Sequence, residues 1–136
     1  MMETLPANFK PVYRYKMENG NPVNCEEIQN ALWHEKGVVY ARVYQDHVVY
    51  VGSTDGTLRA RVLRHIKGIS KARPGKAGEY RGWANGKTIT ILAYKPEPVE
   101  WSGMKVDLHR GLEAALIREF RPSSKDCNQP WFVSRA

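Results

Sequence analysis

The order of apolar and polar positions predicts three strands between residues 37 and 94. Residues 37–44 and 48–51 are rich in β-branched and aromatic side chains, and the polar run Gln45-Asp46-His47 separates them. This pattern predicts two adjacent strands that form a hairpin. Residues 52–56 have the composition of a loop. Residues 88–94 alternate between apolar and polar, which predicts a third strand that ends before Pro96.

Two helices are predicted from apolar residues at helical spacing. The first covers residues 57–67, and its apolar stripe consists of Leu58, Val62, Ile66 and Ile69. The second covers residues 108–120 and ends just before Pro122. Its apolar face consists of Leu112, Leu116, Ile117 and Phe120. The order β-β-α-β-α predicts an α+β fold in which helices pack on a small mixed or antiparallel sheet.

Residues 1–35 have a different character and are predicted to form an N-terminal arm. The segment contains Pro6, Pro11 and Pro22, and residues 25–33 predict a short helix. The compact domain is expected to begin near Gly37, which divides the chain into residues 1–35 and 36–136. A chain of 136 residues has room for one such domain.

Composition indicates the cellular compartment in which the protein is expected to act. Its two cysteines, Cys25 and Cys127, have neither metal-ligand nor redox spacing, which favours a reducing compartment. No apolar run approaches the length needed to cross a membrane, and the first residues lack the apolar segment of a secretion signal. We therefore expect a cytoplasmic protein with no membrane partner.

The net charge of +7 is concentrated in one segment. Residues 57–95 contain ten lysines and arginines and a single acid, Glu79. Such a segment attracts a polyanion, because each phosphate contact releases condensed counterions. A solvated surface that keeps the protein in solution is the alternative interpretation.

Arg61 and His65 are candidates for phosphate chemistry. They lie four residues apart, so both side chains project from one face of the predicted helix, beside its apolar stripe. Arginine clamps a phosphate and neutralises charge that develops on it, while histidine donates to a phosphate oxygen or transfers a proton. A solvated arginine beside a boundary histidine is the structural alternative.

Glu113 falls inside the apolar face of the second helix. A carboxylate on the core side is costly unless it is paired or bound to a metal, so Glu113 is either half of a buried salt bridge or a ligand for Mg²⁺. Tyr40 and Tyr50 lie on the two hairpin strands, where packing is their default role. Asn128 lies in a coil, where a role in a turn is the default. The chain has no zinc-binding pair of histidines, no Walker loop and no nucleophile elbow.

Five elements in order resemble the motifs of the GIY-YIG nucleases. The strings GVVY at residues 37–40 and YVG at residues 50–52 resemble the two motifs that give the family its name. LRARVLRH at residues 58–65 is similar to the next motif, and it matches the family arginine to Arg61 and a histidine to His65. LEAALIREFRP at residues 112–122 is similar to the metal-binding helix, with the catalytic glutamate at Glu113, and CNQPW matches the family asparagine to Asn128.

The resemblance covers residues 37–132 and implies a fold and a mechanism. The implied fold is a small three-stranded antiparallel sheet flanked by helices. The implied activity is metal-dependent hydrolysis of DNA, with Tyr40 as the base that activates a water and Tyr50 positioning the base or the water. Arg61, or alternatively Arg59, stabilises the phosphate, and His65 assists it or the proton transfer. Glu113 holds one Mg²⁺ or Mn²⁺ per site, and Asn128 orients local groups. Gly52 is expected to be structural.

The expected partner is double-stranded DNA, cut by a compact restriction or phage-type nuclease. Cutting both strands with one site per protomer requires a homodimer or two successive nicks. A non-catalytic nucleic-acid-binding module and a nuclease for structured RNA are the alternatives. The predicted DNA contacts are Arg59, Arg64, Lys67, Lys71, Arg73, Lys76 and Arg81.

Overall fold

The computed structural model describes residues 4–28, 31–70 and 84–120, which form an α+β fold. Seven strands are present in these ranges: β1 (Lys10–Glu18), β2 (Asn21–Glu27), β3 (Lys36–Tyr44), β4 (His47–Thr57), β5 (Thr88–Tyr94), β6 (Val99–Trp101) and β7 (Met104–Val106). Two α-helices, α1 (Leu58–Ser70) and α2 (His109–Phe120), and a 3₁₀ turn at Ala31–His34 complete them. Neither α-helix is long and apolar enough to span a membrane.

The main sheet has five strands in the order β2-β1-β5-β3-β4, and every neighbouring pair is antiparallel. The expected count of three strands was therefore wrong. The segment expected to form an arm supplies the other two, because β1 pairs with β5 on one side and β2 on the other. Tyr13, Tyr15 and Met17 alternate along β1 and are buried. Pro22 is tolerated because β2 is the edge strand.

The helix predicted over residues 25–33 was also wrong. β2 continues to Glu27, and among the described residues of this stretch only the short turn at Ala31–His34 is helical. Trp33 in this turn is buried and stacks on Tyr13, with ring centroids 5.8 Å apart. Its indole N–H donates to Glu27 over 3.0 Å. The stacking of Trp33 on Tyr13 thus holds the turn against β1. This is a long-range contact that the spacing of apolar residues does not reveal.

β3 and β4 form the predicted hairpin, but β4 is longer than expected. Residues 52–56 have the composition of a loop and yet continue the strand, because β3 provides antiparallel partners: Gly52 lies opposite Tyr40, and Ser53 opposite Val39. At the other end, Gln45 and Asp46 both have positive φ, which suits a two-residue hairpin turn. The extension carries β4 directly into α1 at Leu58.

The two helices cover one part of the sheet, and α2 packs against β3 and β4. The predicted stripe of α1 is confirmed at Leu58, Val62 and Ile66, which are buried. On α2, the buried apolar residues are Leu116, Ile117 and Phe120. The small hairpin of β6 and β7 was not predicted, and it carries four exposed apolar side chains: Val99, Trp101, Met104 and Val106.

Candidate active site

A cleft of about 900 Å³ opens where the end of β4 meets the first turns of α1 and the face of α2. Its charged lining consists of Asp55, Arg61, Arg64, Arg110 and Glu113. Among the described residues of this wall, three arginines face two carboxylates, which gives a cationic excess. The three elements meet here because β4 runs into α1 without a loop and α2 packs on the same strand.

Glu113 lies half-buried on the wall of the cleft, where Ser53 on β4 donates a hydrogen bond to its carboxylate. Among the residues that the structure describes, no lysine or arginine lies within ion-pairing distance of this carboxylate. The salt-bridge alternative considered from the sequence is therefore not seen in that part of the chain. One Ser53 hydroxyl leaves most of the acceptor capacity of an ionised carboxylate available to a ligand in the cleft.

Arg61 lines the same cleft and carries a buried donor. Its Nε has no hydrogen-bond acceptor among the described residues. Because a buried N–H without an acceptor is costly, this donor needs an acceptor from a water or from a ligand in the cleft. A phosphate oxygen meets that need and matches the fork of a guanidinium. Arg59, the alternative to Arg61, is exposed and lies 3.5 Å from Glu27 instead.

Tyr40, Tyr50 and His65 form a cluster of rings between β3, β4 and α1. The His65 ring lies 5.8 Å from the Tyr40 ring and 5.7 Å from the Tyr50 ring, both in edge-to-face geometry. The Tyr40 hydroxyl is 3.4 Å from His65 Nε2. Tyr40 is fully buried and Tyr50 is 5% exposed, and neither tyrosine contributes to the lining of the cleft.

Gly52 allows the Tyr40 ring to lie directly against the backbone of β4. A Cβ atom at this position would lie 2.8 Å from both Cζ and Oη of Tyr40, and 3.0 Å from Cε2 of Tyr50. Carbon atoms do not approach that closely without displacement. The close approach, and not an unusual φ, is the reason for a glycine here.

Arg42 belongs to the same cluster and was missed in the sequence. It is only 6% exposed, its Nη2 lies 3.0 Å from His65 Nδ1, and its guanidinium lies 5.0 Å from the centre of the Tyr50 ring. One signal was available, because residues two apart on a strand share a face and Arg42 follows Tyr40 by two. Its partner on α1 is a tertiary contact that the strand pattern alone does not reveal.

A second missed group joins β4 to the start of α2. Asp55 accepts hydrogen bonds from Arg110 and from His109 Nε2, the latter over 2.6 Å. The Arg110 hydrogen bond, followed by that of His109, lowers the pKa of Asp55 from its ordinary 3.8 to about 2. The same pairing raises the pKa of Arg110. This group of three side chains borders the cleft, since Asp55 and Arg110 both line it.

The remaining predicted site residues divide into two groups. Arg64 and Lys67 are exposed on α1, and Arg64 lines the cleft. Five lie outside the described residues: Lys71, Arg73, Lys76, Arg81 and Asn128. The structure thus brings Tyr40, Tyr50 and His65 into one cluster, with Arg61 and Glu113 on the adjacent cleft.

No family model and no curated protein matches the chain. Among solved structures, a mutant of bacteriophage T4 EndoII is similar, with a TM-score of 0.59 and 19% identity over 92% of each chain. A restriction endonuclease, HPY188I in complex with product DNA, aligns over 95% of this chain and 82% of that chain, with a TM-score of 0.49 and 15% identity. The likeness to EndoII shows a shared fold, and the weaker one carries no argument.

Proposed function

We propose that the chain is a metal-dependent endonuclease of the GIY-YIG type that hydrolyses phosphodiester bonds in double-stranded DNA. The observation that carries the proposal is one cleft that holds both the carboxylate of Glu113 and the buried Nε of Arg61, which has no acceptor among the described residues. A guanidinium nitrogen that needs an acceptor and a carboxylate with spare lone pairs suit a phosphate and a divalent metal side by side. The fold shared with a phage protein named as an endonuclease supports the same conclusion.

Glu113 would hold one Mg²⁺ or Mn²⁺. Among the described residues, no three side chains of His, Cys, Asp or Glu lie close enough together to form a metal cluster. Mg²⁺ commonly keeps several waters and takes one or two carboxylates together with substrate phosphate oxygens, and a single carboxylate on an open cleft fits that mode. When bound, the metal supplies positive charge that stabilises the phosphate in the transition state.

The side chains of the site divide the work of hydrolysis. Tyr40, once ionised, accepts a proton from the attacking water, and Tyr50 and His65 hold its ring in place. The water oxygen bonds to phosphorus, the bond from phosphorus to the 3′ oxygen breaks, and that oxygen takes a proton from solvent. Arg61 stabilises the charge that develops on the phosphate. Because Tyr40 is fully buried, this assignment requires its hydroxyl to become accessible when DNA binds.

The test is incubation of supercoiled plasmid with the purified chain in Mg²⁺, Mn²⁺ or EDTA, alongside Glu113→Ala. We expect nicking or linearisation that depends on the metal and is lost in the variant, while DNA binding in a gel-shift assay is retained. Glu100→Ala is the matched control, since Glu100 is exposed on β6 and outside the cleft. Full cleavage by Glu113→Ala would refute the metal assignment. Intact plasmid in every condition, with binding retained, would instead favour the non-catalytic binding module.

A further inference from the structure

The hydrogen bond between Arg42 and His65 can be donated only by Arg42. Arg42 Nη2 lies 3.0 Å from Nδ1 of the imidazole. An arginine side chain has five N–H donors and no acceptor, and it stays charged at all ordinary pH values. Arg42 is therefore the donor, and Nδ1 of His65 is the acceptor.

An accepting Nδ1 decides where the imidazole proton lies. A neutral imidazole has one bare nitrogen and one N–H, whereas an imidazolium has two N–H groups and accepts nothing. With Nδ1 bare, His65 is neutral and carries its proton on Nε2. That nitrogen is the one 3.4 Å from the Tyr40 hydroxyl, so His65 donates toward Tyr40 across a long contact.

We propose that Arg42 is a positioning residue that holds His65 in the Nε2–H tautomer and so makes it a hydrogen-bond donor to Tyr40. The catalytic importance of this arrangement rests on the proposed function. Two consequences follow for the reaction. The Tyr40 proton is not transferred to His65, because Nε2 already carries a hydrogen, and it leaves to solvent instead. The donated hydrogen bond also fixes the direction of the Tyr40 oxygen, the atom that accepts a proton from water.

The surroundings of Arg42 suit an arginine in this role. The residue follows Tyr40 by two on β3, so both side chains reach the same face of the sheet. The guanidinium also lies 5.0 Å from the centre of the Tyr50 ring, within the range of a cation–π contact. On the sheet side, His65 contacts Tyr40 and Arg42 on β3 and Tyr50 on β4, all of which are titratable or charged. Contacts with both His65 and the Tyr50 ring therefore hold the guanidinium in place.

The proton position can be measured without DNA or metal. In the full chain labelled with ¹⁵N-histidine, long-range ¹H–¹⁵N spectra at neutral pH distinguish the bare ring nitrogen from the protonated one. The His65 signals are those missing from His65→Gln. We expect a single tautomer with the proton on Nε2. A proton on Nδ1, or an imidazolium, would overturn the proposal from the wild-type spectrum alone.

Two substitutions test whether Arg42 is the cause. Arg42→Met removes the donor, so we expect the His65 signals to move to the averaged positions of exchanging tautomers. Arg42→Lys keeps a cation with N–H donors, and we expect it to restore the wild-type pattern. The signals of His109, which is buried on α2 and hydrogen-bonded to Asp55, report whether each variant is folded. A wild-type His65 spectrum in folded Arg42→Met would refute the role of Arg42.

Plasmid nicking separates this proposal from the proposed function. We expect Arg42→Met to lower kcat about ten- to a hundredfold with little change in KM, because the residue acts through Tyr40 and not on the DNA. Arg42→Lys should recover most of the rate. Absence of nicking in the wild type, with the expected tautomer present, would remove the endonuclease and leave the hydrogen-bond assignment intact. Nicking by a wild type whose His65 carries its proton on Nδ1 would support the endonuclease and refute the hydrogen-bond assignment.

Discussion

At the scale of single residues, Gly52 links the architecture of the hairpin to the ring cluster. Because Gly52 has no side chain, the Tyr40 ring can lie directly against β4. The next residue on the strand, Ser53, donates a hydrogen bond to Glu113. A change at Gly52 therefore acts on both groups at once. The tyrosine cannot move aside easily, because it is fully buried among other core side chains.

Gly52→Ala should destabilise the protein by about 1–3 kcal/mol, the usual cost of overpacking a core. The added methyl would overlap Cζ and Oη of Tyr40 at 2.8 Å, which forces the ring or the strand to shift. Urea unfolding measures the effect. The control is Gly111→Ala on α2, where a Cβ meets nothing within 4 Å and alanine should stabilise the helix by about 0.5–1 kcal/mol. Equal stability of the wild type and Gly52→Ala would show that the close approach is not constraining.

The choice between Arg61 and Arg59 is a second question at this scale. Arg61 lines the cleft and has a buried Nε without an acceptor in the part of the chain that the structure describes, whereas Arg59 Nε lies 3.5 Å from Glu27. We expect Arg61→Ala to lower the rate of plasmid cleavage about 10²–10³-fold, the typical loss when a group that stabilises transition-state charge is removed. Arg59→Ala should change it by less than about threefold, since an exposed pair contributes little. The reverse ranking would transfer the phosphate role to Arg59.

At the scale of elements, the site depends on the register between β4 and α2. Ser53 and Asp55 share a face of the strand because they lie two residues apart, and His109 and Glu113 share a face of the helix because they lie four apart. The two strand residues contact the two helix residues in order: Ser53 reaches Glu113, and Asp55 reaches His109. Two contacts in register fix both the position and the direction of α2.

The contacts of Asp55 with Arg110 and His109 should give stability that depends on pH in a defined direction. Because the folded-state pKa of Asp55 is about 2 and its ordinary value is 3.8, the stabilisation is present above pH 3.8 and is lost as the pH falls toward 2. We expect Asp55→Asn to be less stable than the wild type at about pH 5, with the difference shrinking toward zero near pH 2. Urea unfolding at several pH values measures it.

Asp46→Asn is the control for this series. Asp46 lies in the hairpin turn between β3 and β4, and no ion pair joins it to the described residues. The stability of this variant relative to the wild type should not change across the same pH range. A difference for Asp55→Asn that stays constant from pH 5 to pH 2 would mean that the ion pairing contributes nothing.

How much of this could be predicted differs between the elements. The positions of β3, β5, α1 and α2 follow from local periodicity, and so do the elements on which Tyr40, His65 and Glu113 lie. β1 and the end of β4 were missed because their strand conformation depends on partners far away in the sequence: β1 needs β5, and Gly52 needs Tyr40. Arg42 and Asp55 were missed for the same reason, since each acquires its role from a helix more than twenty residues away.

At the scale of the whole molecule, the cleft is also a place where positively charged side chains are concentrated. The net charge is +7, and Arg61, Arg64 and Arg110 lie on the wall that also carries Glu113. A polyanion that follows this field would bring a phosphate to the unsatisfied donor of Arg61. The cationic residues at the cleft matter for DNA binding only if they contact the DNA themselves. The alternative is that the overall positive charge of the protein attracts the DNA. Binding as a function of salt concentration distinguishes the two.

DNA binding should weaken linearly with the logarithm of salt concentration, and each phosphate contact contributes about 0.9 to the slope. Arg64 is exposed at the cleft, so Arg64→Gln should reduce the slope by about one and weaken binding to all sequences alike. Lys16→Gln is matched in charge but lies on β1, where Lys16 pairs with Glu18 over 3.1 Å, and its slope should equal that of the wild type. Titrating a short duplex at several salt concentrations, without divalent metal, measures both. If both variants reduced the salt slope equally, the overall charge would be what attracts the DNA. The proposal that the cleft is the binding surface would then be refuted.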